Sequence, residues 1–129
     1  MTKEEYIKYW VQTANQDWKT VGNLLKTKDY VPSLFFAHLH LEKICKAIWI
    51  SKNNGNHPPR IHNLVFLLNG AKIQYSPEQL DFMLIMNNFQ LEGRYPDYKM
   101  KLYRIYKKSN TEVILSQVKE LSKWLQKQL

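Results

Sequence analysis

The amino-acid sequence predicts an all-α protein, with a single domain over residues 1–129 built as an up-and-down antiparallel bundle of four main helices plus a short helix. Three observations carry that expectation. Apolar residues between Pro32 and Ile50 recur at helical rather than strand spacing, with Leu34, Ala37, Leu41, Ile44 and Ile48 in one stripe. Capping signatures open three other stretches, at Thr2, Ser76 and Ser109, each with a Glu or Gln three residues on. The strongest cluster of helix breakers, Ser51–Arg60, holds Gly55, Pro58 and Pro59 and separates the two halves of the chain.

Thr2 and Glu5 can satisfy each other's free backbone donors, so the first helix starts there and runs to Leu25, with Tyr6, Trp10, Ala14, Trp18 and Val21 on one face. Asp17 interrupts that face. It reads as a solvated rim residue, or else as the partner of a base on the neighbouring helix such as Lys46. Lys26–Asp29 is short enough to make the first two helices antiparallel neighbours. The second helix, Pro32–Ile50, adds Phe35, Phe36, Leu39, Ala47 and Trp49 to its stripe. It is apolar nearly all round and must be buried on more than one side. His38, Glu42 and Lys46 break this apolar wrap, each four residues from the last and so aligned on one edge. Buried ionisable groups are costly unless paired, so this edge pairs internally, meets a polar partner or faces a cleft.

After the 51–60 loop, Leu64–Leu68 is a short third helix closed by Asn69 and Gly70, with Arg60 and His62 at its N-terminus, where free N–H groups favour anions. Ser76 and Pro77 open a fourth helix that should run to Gly93. Arg94–Tyr98 is a turn, because Pro96 pushes Tyr95 out of helical geometry. Residues 99–108 fit neither period and are left irregular. The Ser109 cap starts the last helix, with Val113, Ile114, Val118, Leu121, Trp124, Leu125 and Leu129 inward and Lys119, Lys123 and Lys127 outward.

Charge is uneven along the chain. Residues 1–98 hold 11 Lys and Arg against 9 Asp and Glu, whereas residues 99–129 hold 8 against 2. That basic excess either attracts nucleic acid or an acidic partner, or is a solvated lysine face. No run is long and apolar enough for a membrane, and no leader pattern opens the chain, so a cytosolic place is expected. The single cysteine, Cys45, reads as a core residue. The four histidines, His38, His40, His57 and His62, do not pair at metal-binding spacing, and no glycine loop cradles phosphate, so no metal and no cofactor is expected.

Three segments together resemble the HEPN domain family, in its small prokaryotic form. They are the helix Phe36–Ala47 with Glu42-Lys43 and Lys46-Ala47, the loop Pro58–Leu64, which reads Pro-Pro-x-x-His-x-Leu, and the turn Arg94–Asp97, which reads Arg-Tyr-Pro-Asp. The resemblance implies a four-helix bundle, a homodimer, and a complex with a minimal nucleotidyltransferase in a toxin–antitoxin-like pair. Active members are metal-independent ribonucleases with an arginine, four to six intervening residues and a histidine. That spacing is absent. His62 follows Arg60 by two positions, and no histidine follows Arg94 or Arg104.

The favoured reading is a binding and assembly module with a nucleotide or RNA site at Arg60, His62, Arg94 and Asp97. The His38, Glu42 and Lys46 edge is a further candidate, with His38 and Glu42 read first as a structural pair. One alternative is an RNA endonuclease with Arg94 or Arg60 on phosphate and His62 as proton carrier. The other is a purely structural domain in which Arg94 pairs with Asp97. The balance leans away from an enzyme.

Overall fold

The computed structural model describes all residues, Met1–Leu129, and its regular structure is entirely helical. Six helices follow in order: α1 (Lys3–Lys26), α2 (Tyr30–Lys52), α3 (Leu64–Gly70), α4 (Pro77–Asn87), α5 (Pro96–Ile105) and α6 (Lys108–Gln126). Two of the three expected capping boxes form, at Thr2 with Glu5 and at Ser76 with Gln79, whereas Ser109 lies inside the first turn of α6 and does not cap it. The turn between α1 and α2 is closed by Lys28 in the left-handed region, φ 64°. Cross-contacts then run antiparallel, from His40 against Ala14 to Lys3 against Ile50 and Asn53 at the far end.

α2 is the centre of the molecule. Leu34, Ala37, Leu41, Ile44, Cys45 and Ile48 are fully buried and join one core with Leu64, Leu67 and Leu68 of α3, Met83 and Met86 of α4, and Val118 and Leu125 of α6. At roughly 1.5–3 kcal/mol for each fully buried large side chain, this shared core is the main force holding the helices around α2. No helix is long and apolar enough to cross a membrane.

α1 runs one residue past its expected end and α2 two residues past both of its own, and three further boundaries differ from the sequence expectation. α4 stops at Asn87 rather than Gly93, and the chain then turns so that Phe89 is fully buried, edge-on to the Tyr106 ring at 4.9 Å. Residues expected to be irregular form α5, which starts at Pro96 with Tyr95 extended before it (ψ 156°). Pro96 thus begins a helix as well as ending the extended stretch. α5 hides only Leu102 fully, which is why its period is faint in the sequence. α6 starts at Lys108, capped by the Asn110 side chain accepting from Lys107 N–H at 2.7 Å, and Val113 and Leu129 are exposed rather than inward.

Candidate functional site

Glu42 is the hub of the buried edge of α2. It is 4% exposed, and its two oxygens accept from different bases: Lys46 Nζ donates to Oε2 at 2.9 Å, and His62 Nδ1 to Oε1 at 2.9 Å. The first contact is local, one helical turn along α2. The second crosses 20 residues and pins the loop before α3 to α2. Two hydrogen bonds to bases are what a buried carboxylate needs to stay charged. Lys46 also sits over the Trp10 ring, 5.3 Å from its centroid. His62 is open on its other side, with Nε2 3.4 Å from the exposed Glu92 carboxylate.

His38 belongs to the same edge but not to the hub. Its Nδ1 lies 3.8 Å from Glu42 Oε1, too far for a hydrogen bond, and has no other partner. Its Nε2 donates to Asn87 Oδ1 at 3.3 Å, an oxygen that also accepts Leu64 N–H at 3.2 Å, while Asn87 Nδ2 donates to Asn63 Oδ1 at 3.2 Å. Burial lowers the His38 pKa, against the pull of Glu42 and Asn87, so this imidazole is neutral and structural. Asn63 and Asn87 between them take the N–H groups of Leu64 and Phe66. The start of α3 is therefore satisfied from within and does not offer the anion cradle expected of it.

His40 is the other buried histidine, and no motif in the sequence marks it. Its Nδ1 donates to Ala14 O at 2.6 Å and its Nε2 accepts from Ser122 Oγ at 2.8 Å, which ties α1, α2 and α6 together. Burial lowers its pKa as well. Asp17 is buried too, not a rim residue, and its partner is Lys43 rather than Lys46, with Nζ 2.8 Å from Oδ2 at an angle unsuited to a hydrogen bond. Desolvation pushes the Cys45 thiol up and out of the thiolate range.

Arg60, Arg94 and Asp97 stand apart from the hub. Arg94 and Asp97 form no ion pair with each other. Arg94 instead lies over the Tyr98 ring, 4.4 Å from its centroid, and its Nε reaches Gln90 O at 3.4 Å. Arg60 is exposed beside a pocket of about 410 Å³ that Lys46 also lines. Of the seven candidate residues, then, Glu42, Lys46 and His62 are bonded together, His38 adjoins them, Arg60 reaches the same region by the pocket, and Arg94 and Asp97 lie on a separate surface.

The HEPN domain family model matches residues 7–128, nearly the whole chain. The chain belongs to the HEPN domain family. No curated protein and no solved structure matched it. In this HEPN chain no group of three His, Cys, Asp or Glu side chains converges as a metal ion would require.

What this HEPN chain offers on its outside is a cationic surface on α5 and its flanks. From Arg94 to Lys108 there are six Lys and Arg against one acid, Asp97. None of the six takes part in an ion pair. Tyr95, Met100 and Tyr103 are exposed among them. An aromatic set within a row of unpaired cations can stack bases and neutralise phosphates.

Proposed function

We propose that this HEPN chain is a binding and assembly module that pairs with a second copy of itself and with a minimal nucleotidyltransferase, in a toxin–antitoxin-like arrangement in the cytosol, and holds single-stranded RNA. The observation that carries RNA binding is the Arg94–Lys108 surface: six cations without a carboxylate partner, interleaved with exposed Tyr95 and Tyr103. The buried and half-buried lysines of α2, by contrast, are held by carboxylates, Lys43 by Asp17 and Lys46 by Glu42. Arg94 opens this surface, with Asp97 its one acid, whereas Arg60 and His62 lie apart from it. Exposed Leu84 and Ile85 on α4, with Phe66 on α3, are the apolar surface that a second copy would cover. The nucleotidyltransferase rests on family membership.

The test is titration of labelled single-stranded RNA across a salt series. Affinity should fall with a log–log slope of about 0.7 per phosphate contact, and Lys101→Ala with Arg104→Ala should make that slope shallower. Absence of binding at low salt sinks the RNA reading, and a monomer mass by light scattering at micromolar concentration removes the dimer.

One observation favours the endonuclease reading instead. Glu42 Oε1 accepts a hydrogen bond from His62 Nδ1–H, which orients the ring so that Nε2 points away from the hub on the half-exposed side of the residue. Against it, the Glu92 carboxylate lies 3.4 Å from Nε2, where it would repel a phosphate rather than hold one. Metal-free protein incubated with RNA should therefore leave it intact. Cleavage that His62→Ala and Arg94→Ala both abolish would establish the enzyme.

A further inference from the structure

One buried hydroxyl has its proton assigned by its neighbours. Ala14 O can only accept, so His40 Nδ1 carries the proton that it donates there at 2.6 Å. Burial keeps this imidazole neutral. Its Nε2 therefore offers a bare lone pair, and the hydrogen between it and Ser122 Oγ, 2.8 Å away, belongs to the serine. A hydroxyl aimed at a neutral imidazole, whose other nitrogen is held by a fixed acceptor, supplies the nucleophile, base and orienter that acyl transfer needs. The ring is also held from the side by Trp18, with centroids 5.2 Å apart. The Asp17 carboxylate favours the imidazolium that forms when the serine proton moves.

Both side chains are buried from bulk water, yet both line a cavity of about 180 Å³ with Trp18 of α1 and Lys119, Lys123 and Gln126 of α6. The α6 residues and Ser122 stand three and four positions apart, so helical spacing brings them to one face. Drug-sized ligands occupy about 300–1,000 Å³, and a water molecule takes a share of about 30 Å³ in the liquid. This cavity lies between those limits and admits a group of a few heavy atoms.

Its polar groups suit a developing negative charge. Gln126 Nε2 donates to Ser122 Oγ at 3.0 Å. Lys119 forms no ion pair, and Lys123 Nζ is 3.8 Å from Glu120, beyond hydrogen-bonding reach. Two ammonium groups bordering the same cavity as the hydroxyl can neutralise the oxyanion of a tetrahedral intermediate. A purely structural tie between α1, α2 and α6 needs the two His40 bonds, but it needs neither the cavity nor the cations.

We propose that Ser122 is a nucleophile that accepts an acyl group of about acetyl size from an activated ester, with His40 as its general base. Ser122 Oγ bonds to the acyl carbon while its proton passes to His40 Nε2. The ester C–O bond then breaks, and the leaving oxygen departs with the bonding pair and takes up that proton. The products are an acyl-serine and a free alcohol, with no change of oxidation state and no co-reactant. The site is built from α1, α2 and α6, and it stands whether or not the α5 surface binds RNA.

The probe is p-nitrophenyl acetate on the full chain, followed by nitrophenol release and by peptide mass mapping. The wild type should carry acetyl on Ser122 sooner than on any lysine. The octanoate ester should react about tenfold or more slowly, because its chain exceeds the cavity. His40→Gln, whose amide still reaches Ala14 O and Ser122, should slow acetylation of Ser122 about a hundredfold with the melting temperature little changed. Lys119→Ala with Lys123→Ala should slow it about tenfold. Ser122→Ala should abolish it, with folding checked by circular dichroism. Acetyl found only on lysines or the N-terminus of the wild type overturns the proposal, whatever becomes of the variants. A Ser122 rate that His40→Gln leaves unchanged overturns it too, since the hydroxyl would then react without its base.

Discussion

The charged edge of α2 and the charged surface of α5 use the same residue types to opposite ends. On α2, Lys46, Glu42 and His62 are joined at hydrogen-bonding distance, and the hub carboxylate is nearly sealed from water. On α5 and the junction into α6, Lys101, Arg104, Lys107 and Lys108 are exposed and form no ion pair with a carboxylate. A buried charge has to be matched within the fold, whereas an exposed charge is matched by solvent until something else arrives. Sequence position alone does not separate these cases. Partnering does, and it makes the first region a fold determinant and the second a surface available to ligands.

The sharpest way to break that contrast is Glu42→Ala. It leaves Lys46 buried with no counter-charge and releases His62, so a stability loss of about 3–5 kcal/mol is expected from denaturant melts. A loss of under about 1 kcal/mol would mean that the hub is no more than a surface pair. Glu42→Gln should cost less, since the amide oxygen can still accept one of the two hydrogen bonds.

The next test is pH. His38 and His40 have pKa values lowered by burial, from 6.5 in the unfolded chain. In the window between the lowered values and 6.5 the unfolded state binds more protons, so stability rises with pH there. Their contribution is complete above about pH 6.5 and is lost as pH falls through that window. Melting temperature should therefore drop on acidification, and His40→Gln, whose amide can still meet Ala14 O and Ser122, should flatten part of the drop. A melting temperature that is level from neutral pH to about pH 5.5 would refute the burial argument.

On the α5 side the expected effects on stability are small. Lys101→Ala and Arg104→Ala should each change it by less than about 0.5 kcal/mol while altering the salt dependence of RNA binding. Arg94→Ala removes the contact with Tyr98 and should cost about 0.5–1 kcal/mol. Tyr98 itself donates to Asn88 O at 2.7 Å and holds α5 to the end of α4, so Tyr98→Phe separates that tether from the cation contact.

Local rules were legible in the sequence. Thr2 and Ser76 announced their helices because a cap and its reciprocal partner lie within one turn, and the aligned spacing of His38, Glu42 and Lys46 announced a charged edge. Non-local pairings were not legible. Nothing within 20 residues of Glu42 marks His62 as its second donor, and only the packing of α1 on α2 decides that Asp17 meets Lys43 instead of Lys46. α5 was missed because a helix that buries a single leucine fully leaves almost no period to read. The Ser122–His40 pair was missed for the same reason as the bond from His62 to Glu42. Its members are 82 residues apart, and neither helix carries a motif that points to the other. A serine on the buried face of α6 was the available signal.

Cys45 lies within α2 with none of its surface exposed, and it is the chain's one thiol. A thiol-specific reagent added to the folded protein meets no target, so the rate at which it is consumed is a clock for the opening of the core. Where reclosing outruns the chemistry, that rate reports the equilibrium between closed and open molecules; where the reagent is in large excess, it reports the opening step itself. A cysteine introduced anywhere on the surface would react first and alone, so a fluorophore or spin label can be placed on α5 or at the mouth of the Ser122 cavity with the native sequence otherwise intact.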